Sequence, residues 1–315
     1  MPKLIPTQPL KSSVLVSVLG AAAGGGFPQW NCNCDNCRRL RQKSLRGKAS
    51  SQIQVAVSAD GRAWHLLGAS PDLSRQIEAT PCLHPRQGLR DSPIASVTLT
   101  CAEIDQSLGL LVLREMHTFA VYATSSVRGI LLDDNSMFRM LQRVPGQVQW
   151  HNITPSAPFE VEAGLQVEAI PMGGGYPSYV SAARLARCRA EEAVVGLSVR
   201  SGDRAMLFLP GVPNIDDALF ARMEQSDLVL LDGTFWSDDE FIRVWPLART
   251  ARAMGHQPIS GPGGTLERLA TLRRPRKVFI HINNTNPILD EDSDAYRTVR
   301  DAGWEVASDG MTITL

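Results

Sequence analysis

The sequence predicts an α/β fold in which two sheets are sandwiched between helices. Hairpin-like alternation followed by strand–helix alternation occurs twice along the chain, which is the grammar of two sheets that each need a helical cover. With 315 residues, 43% of them hydrophobic and 20% charged, the chain can bury a full core. No low-complexity linker separates the halves, so residues 1–315 are expected to form a single domain, with a cysteine-rich loop at about 31–38.

The elements follow in order. Residues 14–19 are a buried first strand that runs into a glycine-rich turn at 24–26. Preceded by Lys3 and Lys11 and followed by three alanines, this run also imitates a short signal peptide. The strand is preferred, because the apolar run is only just long enough and cleavage there would leave the cysteines at a new terminus. Residues 37–46 make a short basic helix or turn. Residues 52–57 and 62–67 alternate around Ala59, Asp60 and Gly61 and predict a hairpin. Ser70 and Pro71 start a helix that lasts to Thr80. Residues 94–100 form a buried strand, then a turn and a helix through 108–115; 119–123 and 165–170 are further strands, with a helical stretch near 136–142. In the second half, 193–199 and 205–209 pair across Gly202, 216–224 is a helix and 228–231 a fully apolar strand. A helix at 266–271, a strand at 278–281, a helix at 294–302 and short strands at 305–307 and 311–315 close the chain.

Charge and cysteine usage bound the function. The 32 basic and 32 acidic residues cancel, which removes the electrostatic footprint of a dedicated nucleic-acid or acidic-membrane binder. No stretch of about 18 apolar residues offers a membrane span. Cys32, Cys34 and Cys37 are too close in sequence to pair well as disulfides, but three thiolates on a tight loop converge on a metal such as Zn²⁺. A closed tetrahedral site needs a fourth ligand that the sequence does not name. The cluster implies a reducing, cytoplasmic compartment. Cys82, Cys101 and Cys188 stand alone and read as small core residues.

A second set of candidates ends predicted strands. Cys101, Glu103 and Asp105 share one side at strand spacing, so a thiol and two carboxylates point together. His281 follows the 278–280 strand and leads into amides, a good place for a ligand or general base. Asp232, before Gly233 and Thr234, has the same geometry. His256 precedes a glycine-rich stretch; His65, His84, His117 and His151 have no convincing companions and read as structural or surface residues. The glycines after the first strand lack the G-x-G-x-x-G spacing of a dinucleotide fingerprint, and they let the backbone approach a site closely instead.

Several segments resemble the coenzyme PQQ synthesis protein B family: LGAAAGGGFPQWNCNC at 19–34, LLVLRE at 110–115, LDGTFW at 231–236, HINNTNPILDEDS at 281–293 and DGMTITL at 309–315. The resemblance spans nearly the whole chain and implies the metallo-β-lactamase superfamily, an αββα sandwich of two mixed sheets flanked by helices. The superfamily's metal motif His-x-His-x-Asp-His falls on Cys101, Glu103, Asp105 and Gln106. Asp105 is kept and Glu103 is a carboxylate substitute, but Gln106 replaces a histidine, and a histidine-bearing segment is replaced by residues 179–185. His281 and Asp232 match later site positions. The resemblance implies a part in making pyrroloquinoline quinone (PQQ) from a cross-linked Glu–Tyr precursor. Two roles are in view: an iron-dependent hydroxylase, with Glu103, Asp105 and His281 on Fe²⁺, Asp232 as a fourth ligand or orienting group, and zinc on the three cysteines; or a non-catalytic carrier that binds PQQ or its precursor and assists transport to the periplasm. The expected partner in either role is a small molecule, and a homo-oligomer is compatible with the sequence.

Overall fold

The computed structural model describes residues 13–315. Lys3 and Lys11 of the signal-like segment lie outside the described residues, and the apolar run behind them forms the first strand. The first sheet contains β1 (Leu15–Gly20), β2 (Gln54–Ser58), β3 (Trp64–Leu67), β4 (Ile94–Thr98), β5 (Phe119–Thr124), β6 (Val148–Ile153) and β14 (Thr312–Thr314), in the order β14-β1-β2-β3-β4-β5-β6. The second contains β7 (Pro158–Val161), β8 (Leu165–Pro171), β9 (Val195–Ser201), β10 (Arg204–Leu209), β11 (Leu228–Asp232), β12 (Arg276–Ile280) and β13 (Glu305–Val306), in the order β13-β12-β11-β10-β9-β8-β7. Each sheet begins antiparallel and turns parallel: β3 to β6 run parallel in one and β10 to β13 in the other. The repeated grammar of the sequence is therefore two sheets of mixed sense flanked by helices.

Burial on both faces explains why several strands show no polar alternation. Val16, Val18, Val55 and Val57 of the first sheet meet Val167, Leu197, Val199, Phe208, Leu230 and Val278 of the second in one inter-sheet core. The intervening residues point outward under helical cover. Leu66, Val97 and Val121 do so in the first sheet, and Leu207, Leu209, Val229, Leu231 and Phe279 in the second. The Trp304 ring stacks on Phe279 with centroids 4.3 Å apart.

Some elements depart from expectation for local reasons. The helix after Pro71 spans only Leu73–Glu78: the Ser70 hydroxyl accepts from Asp72 N, and the Asp72 carboxylate is committed to Gln52 N and Nε2. The 108–115 stretch is a 3-10 helix, Leu108–Arg114, because Gly109 lies against the 69–70 backbone and donates to Ala69 O. β6 and β7, the outermost strands of their sheets, were not expected at all.

His65 on β3 faces the inter-sheet core, with Nδ1 2.7 Å from Ser96 Oγ and Nε2 2.9 Å from Thr98 Oγ1 on β4. Burial pushes its pKa down to about 3, so the folded chain holds it neutral. Between that value and the ordinary 6.5 the unfolded chain binds the extra proton, so the contribution is intact above pH 6.5 and is lost as pH falls. Replacing His65 by Gln is expected to flatten the pH dependence of urea unfolding between pH 6.5 and 5, by about 1.4 kcal/mol per pH unit relative to the parent chain.

Candidate functional site

The chain reverses at the carboxyl ends of β1, β4, β11 and β12, and these ends lie together at one edge of the sandwich. Ala22 stitches the sheets there. It bridges to Gln52 on one side and to Ile282 on the other; Ala23 N donates to Ile282 O, and Ile53 N to Ala22 O. Open α/β architectures bind ligands at such carboxyl ends.

Asp232, the last residue of β11, is the anchor. It is 1% exposed, and both oxygens are satisfied: Oδ2 accepts from Val212 N at 2.9 Å and sits 2.8 Å from His256 Nδ1, while Oδ1 accepts from Thr234 N at 3.0 Å and from the Thr234 hydroxyl at 2.6 Å. Gly233 allows this tight turn, since a Cβ there would come within 2.9 Å of Phe279 Cβ. Burial alone would raise the Asp232 carboxyl, but the His256 charge and hydrogen bond, with His281 and Thr234, bring it below the usual carboxylate range. His256 moves the other way. Burial lowers it, and the Asp232 charge and hydrogen bond, with the Asp105 charge, more than restore it.

The Thr234 hydroxyl also lies 2.8 Å from His281 Nδ1 and 3.1 Å from His256 Nδ1. The two rings stack at 5.4 Å, 22° from parallel. Their Nδ1 atoms are thus engaged by Asp232 and Thr234, which leaves the Nε2 atoms as the free donors; His281 Nε2 is 3.4 Å from Asp105 Oδ2. His281 adopts φ 59°, a left-handed conformation unusual for a non-glycine residue. The two amides that follow it are held by Ala21 O at 2.9 Å and by Thr234 O at 3.1 Å. Gly24, in the turn after β1, brings its backbone against the Asp105 carboxylate. A cleft of about 780 Å³ opens on this group, lined among others by Glu103, Asp105, His256, His281, Arg249 and Arg252.

A second cluster lies behind the first. The sulphurs of Cys32, Cys34 and Cys37 are within 4.8 Å of one another. The Asn284 side-chain amide faces all three, with Nδ2 at 3.0, 3.5 and 3.2 Å. A half-turn of that amide would present Oδ1 to the same point, giving three sulphurs and one oxygen around a common centre. Burial and the neighbouring thiols push the Cys34 thiol up to about 12. Burial also works against the Cys32 thiolate, but hydrogen bonds from the Cys34 backbone, the adjoining thiols and Asn284 outweigh it and lower that thiol. A cation at the centre would relieve this crowding. The cluster is fastened to the first site: Asn36 Nδ2 donates to the carbonyls of Asn284 and Asn286, and Asn286 Nδ2 to those of Gly233 and Thr234.

The site residues read from the sequence therefore fall in different roles. Asp105 and His281 come together. Glu103 lies at the cleft's exposed rim, outside the group of Asp232, His256 and His281; partial burial and the Asp105 charge raise its carboxyl. Gln106 is buried and turned inward, accepting from the Thr100 hydroxyl at 3.1 Å. Tyr179 reaches Ala102 O with its hydroxyl. Cys101 is buried at the cleft wall, and Cys82 and Cys188 are half-buried.

The family model described as a beta-lactamase superfamily domain matches residues 63–282. Coenzyme PQQ synthesis protein B of Methylococcus capsulatus is 44% identical over 306 residues, covering 96% of this chain and all of the relative. The chain belongs to the coenzyme PQQ synthesis protein B family. The Gluconacetobacter diazotrophicus member is 43% identical over 310 residues, covering 94% of this chain and 98% of that one. Among solved structures, Zn²⁺-bound PqqB from Methylobacterium extorquens superposes with a TM-score of 0.89 at 39% identity, covering 96% of this chain and 100% of that one. A diphosphatase of the PhnP family, at 19% identity, shares the fold with a TM-score of 0.67, covering 96% of this chain and 97% of that one. No helix among the described residues is long and apolar enough to cross a membrane.

Within this family frame, three residues of the site were not assigned from the sequence: His256, Thr234 and Asn284. Met254, Gly255 and His256 lie on no strand, and the partners of His256 at 232 and 281 are remote in sequence. Asn284 is one of three asparagines in 281–286, and only the fold shows which faces the sulphurs. Asp232→Ala is expected to destabilise the chain by about 3–5 kcal/mol in urea unfolding, because it leaves His256 Nδ1 and the Val212 and Thr234 amides without their buried acceptor. Asp232→Asn, which keeps the shape and some hydrogen bonds, is expected to cost less.

Proposed function

We propose that this chain acts in PQQ biosynthesis as a metal-dependent oxidative protein that tailors the cross-linked Glu–Tyr precursor. One observation carries the reading: the stacked His256 and His281 imidazoles, their Nδ1 atoms engaged by Asp232 and Thr234, line the same cleft as the Asp105 carboxylate, which lies 3.4 Å from His281 Nε2. Two histidines and one carboxylate are the donor set of non-haem Fe²⁺ oxygenases, so Asp105, His256 and His281 would hold the ion. Bound there, Fe²⁺ would supply oxygen activation for ring hydroxylation. Glu103 is assigned to the cleft wall, not to the ion. Asp232 and Thr234 fix the ring orientations through Nδ1 and keep Nε2 free for the cleft, the usual outer-layer support of a metal histidine. Asp232, whose two oxygens already make four contacts to the protein, is assigned as the orienting group. The three cysteines and Asn284 Oδ1 would hold a structural Zn²⁺, consistent with the zinc of the Methylobacterium extorquens relative.

A second reading rests on Gln106. Where the superfamily motif has a histidine, this side chain is turned to Thr100, so the centre has one strong donor fewer. A carrier that binds PQQ or its precursor, and assists transport to the periplasm, needs no such donor.

Anaerobic titration separates the two readings. Fe²⁺ is expected to bind stoichiometrically, to be lost in Asp105→Ala and His256→Ala with zinc content unchanged, and to support an oxygen-dependent mass gain on a Glu–Tyr cross-linked substrate. Zinc alone, no iron, and PQQ affinity indifferent to both variants would favour the carrier. For the second cluster, metal analysis after chelator challenge is expected to show zinc lost from Cys34→Ser and weakened in Asn284→Ala, with Asn284→Asp retaining it.

A further inference from the structure

The segment that delivers His256 also carries two arginines into the cleft, Arg249 and Arg252. Their surroundings differ from those of neighbouring arginines. Arg243 pairs with Asp239 at 2.7 Å, and Arg268 pairs with Asp217. The Arg252 guanidinium meets only neutral acceptors, the Pro262 and Gly263 carbonyls at 3.3 and 3.2 Å and Gln257 Oε1 at 3.4 Å, while its backbone N–H donates to Asp238 Oδ1 at 2.9 Å. Arg249 is exposed and has no ion-pair or hydrogen-bond partner among the described residues. In a chain whose 32 basic and 32 acidic residues cancel, two uncompensated guanidiniums thus line the same cleft as the Asp105–His256–His281 group.

We propose that Arg249 and Arg252 form a carboxylate-binding wall that selects a substrate bearing more than one carboxylate and holds it over the floor of the cleft. The planar fork of a guanidinium matches a carboxylate bidentately, which a lysine cannot do. Arg252, its Nη2 hydrogens already donated to two carbonyls, is held in place and offers a carboxylate its charge and a remaining N–H, while the fork is left to Arg249. Arg249 is free to close on a second carboxylate. The acidic residues Glu103 and Asp105 line the same cleft, so an anion is drawn toward the arginines and away from the rim carboxylate. The proposal rests on the cleft being the substrate site, but not on whether chemistry or only binding takes place there.

The test is equilibrium binding of PQQ, a planar tricarboxylate, and of its trimethyl ester to the full-length chain. The parent chain is expected to bind the acid in preference to the ester, with affinity that falls as salt rises. Arg249→Gln and Arg252→Gln are each expected to weaken binding of the acid about tenfold or more, to leave the ester unchanged, and to erase the preference when combined. Arg249 makes no internal hydrogen bond, so its variant reports binding without a folding defect; thermal melting checks the Arg252 variant, whose side chain fastens the 262–263 turn. Arg249→Lys is expected to recover only part of the loss. Equal affinity of acid and ester, undiminished affinity in Arg249→Gln, or no binding of either compound would overturn the proposal. Arginine-dependent binding in a chain that takes up no iron would retain the wall and sink the oxidative reading.

Discussion

The site depends on where one short loop is allowed to lie. Residues 281–286 carry His281 toward the cleft at one end and Asn284 toward the sulphurs in the middle, and the loop is pinned from both sides through its polar groups. Asn286 ties it to the end of β11 by the Gly233 and Thr234 carbonyls, and Asn36 ties it to the cysteine loop by its own carbonyls. These amides are buried, so each bond carries the full desolvation cost if broken. The left-handed backbone at His281 persists because the Ala21 and Thr234 carbonyls, each accepting from one of the two amides that follow it, over-determine it. The cysteine cluster and the imidazole pair are therefore two faces of a single hydrogen-bonded unit.

The same economy governs charge. A carboxylate at the position of Asp232, 1% exposed, is tolerated because amides, a hydroxyl and an imidazole surround it. That environment engages both Asp232 oxygens with the protein, which is the basis of the orienting role proposed for it. Asp105 keeps an oxygen facing the His281 imidazole.

Much of the fold was legible because its signals are local. Asp60–Gly61 and Gly202–Asp203 mark the two hairpins, and 228–231 reads as buried on both faces because it is. β6 escaped because an edge strand has only one neighbour to hide behind: Gln149, His151 and Asn152 face out, and the run VQWHNI has no clear period. β7 escaped because it is four residues long and begins with proline, which only an edge strand tolerates. The site was legible in part. The cysteine spacing is a local signal, as are strand-end residues such as Asp105 and His281. His256 is not, since its meaning lies in a hydrogen bond across 24 residues to Asp232. Nor does the sequence tell that Glu103 stays at the rim while its neighbour two positions on turns inward.

β14 gives the chain a further property. Thr312–Thr314 pairs with Leu15–Ser17 and completes a sheet otherwise built from the first half of the sequence. Asp309, just before it, binds Ser50, Ser51 and the Ala21 amide beside the site. During synthesis the first sheet therefore waits, one strand short and with β1 as an open edge, until residues 312–314 have been made. The second sheet is built entirely from residues 158–306, whereas the first cannot finish without β14, and the cleft, which takes His281 from the end of β12, forms late as well.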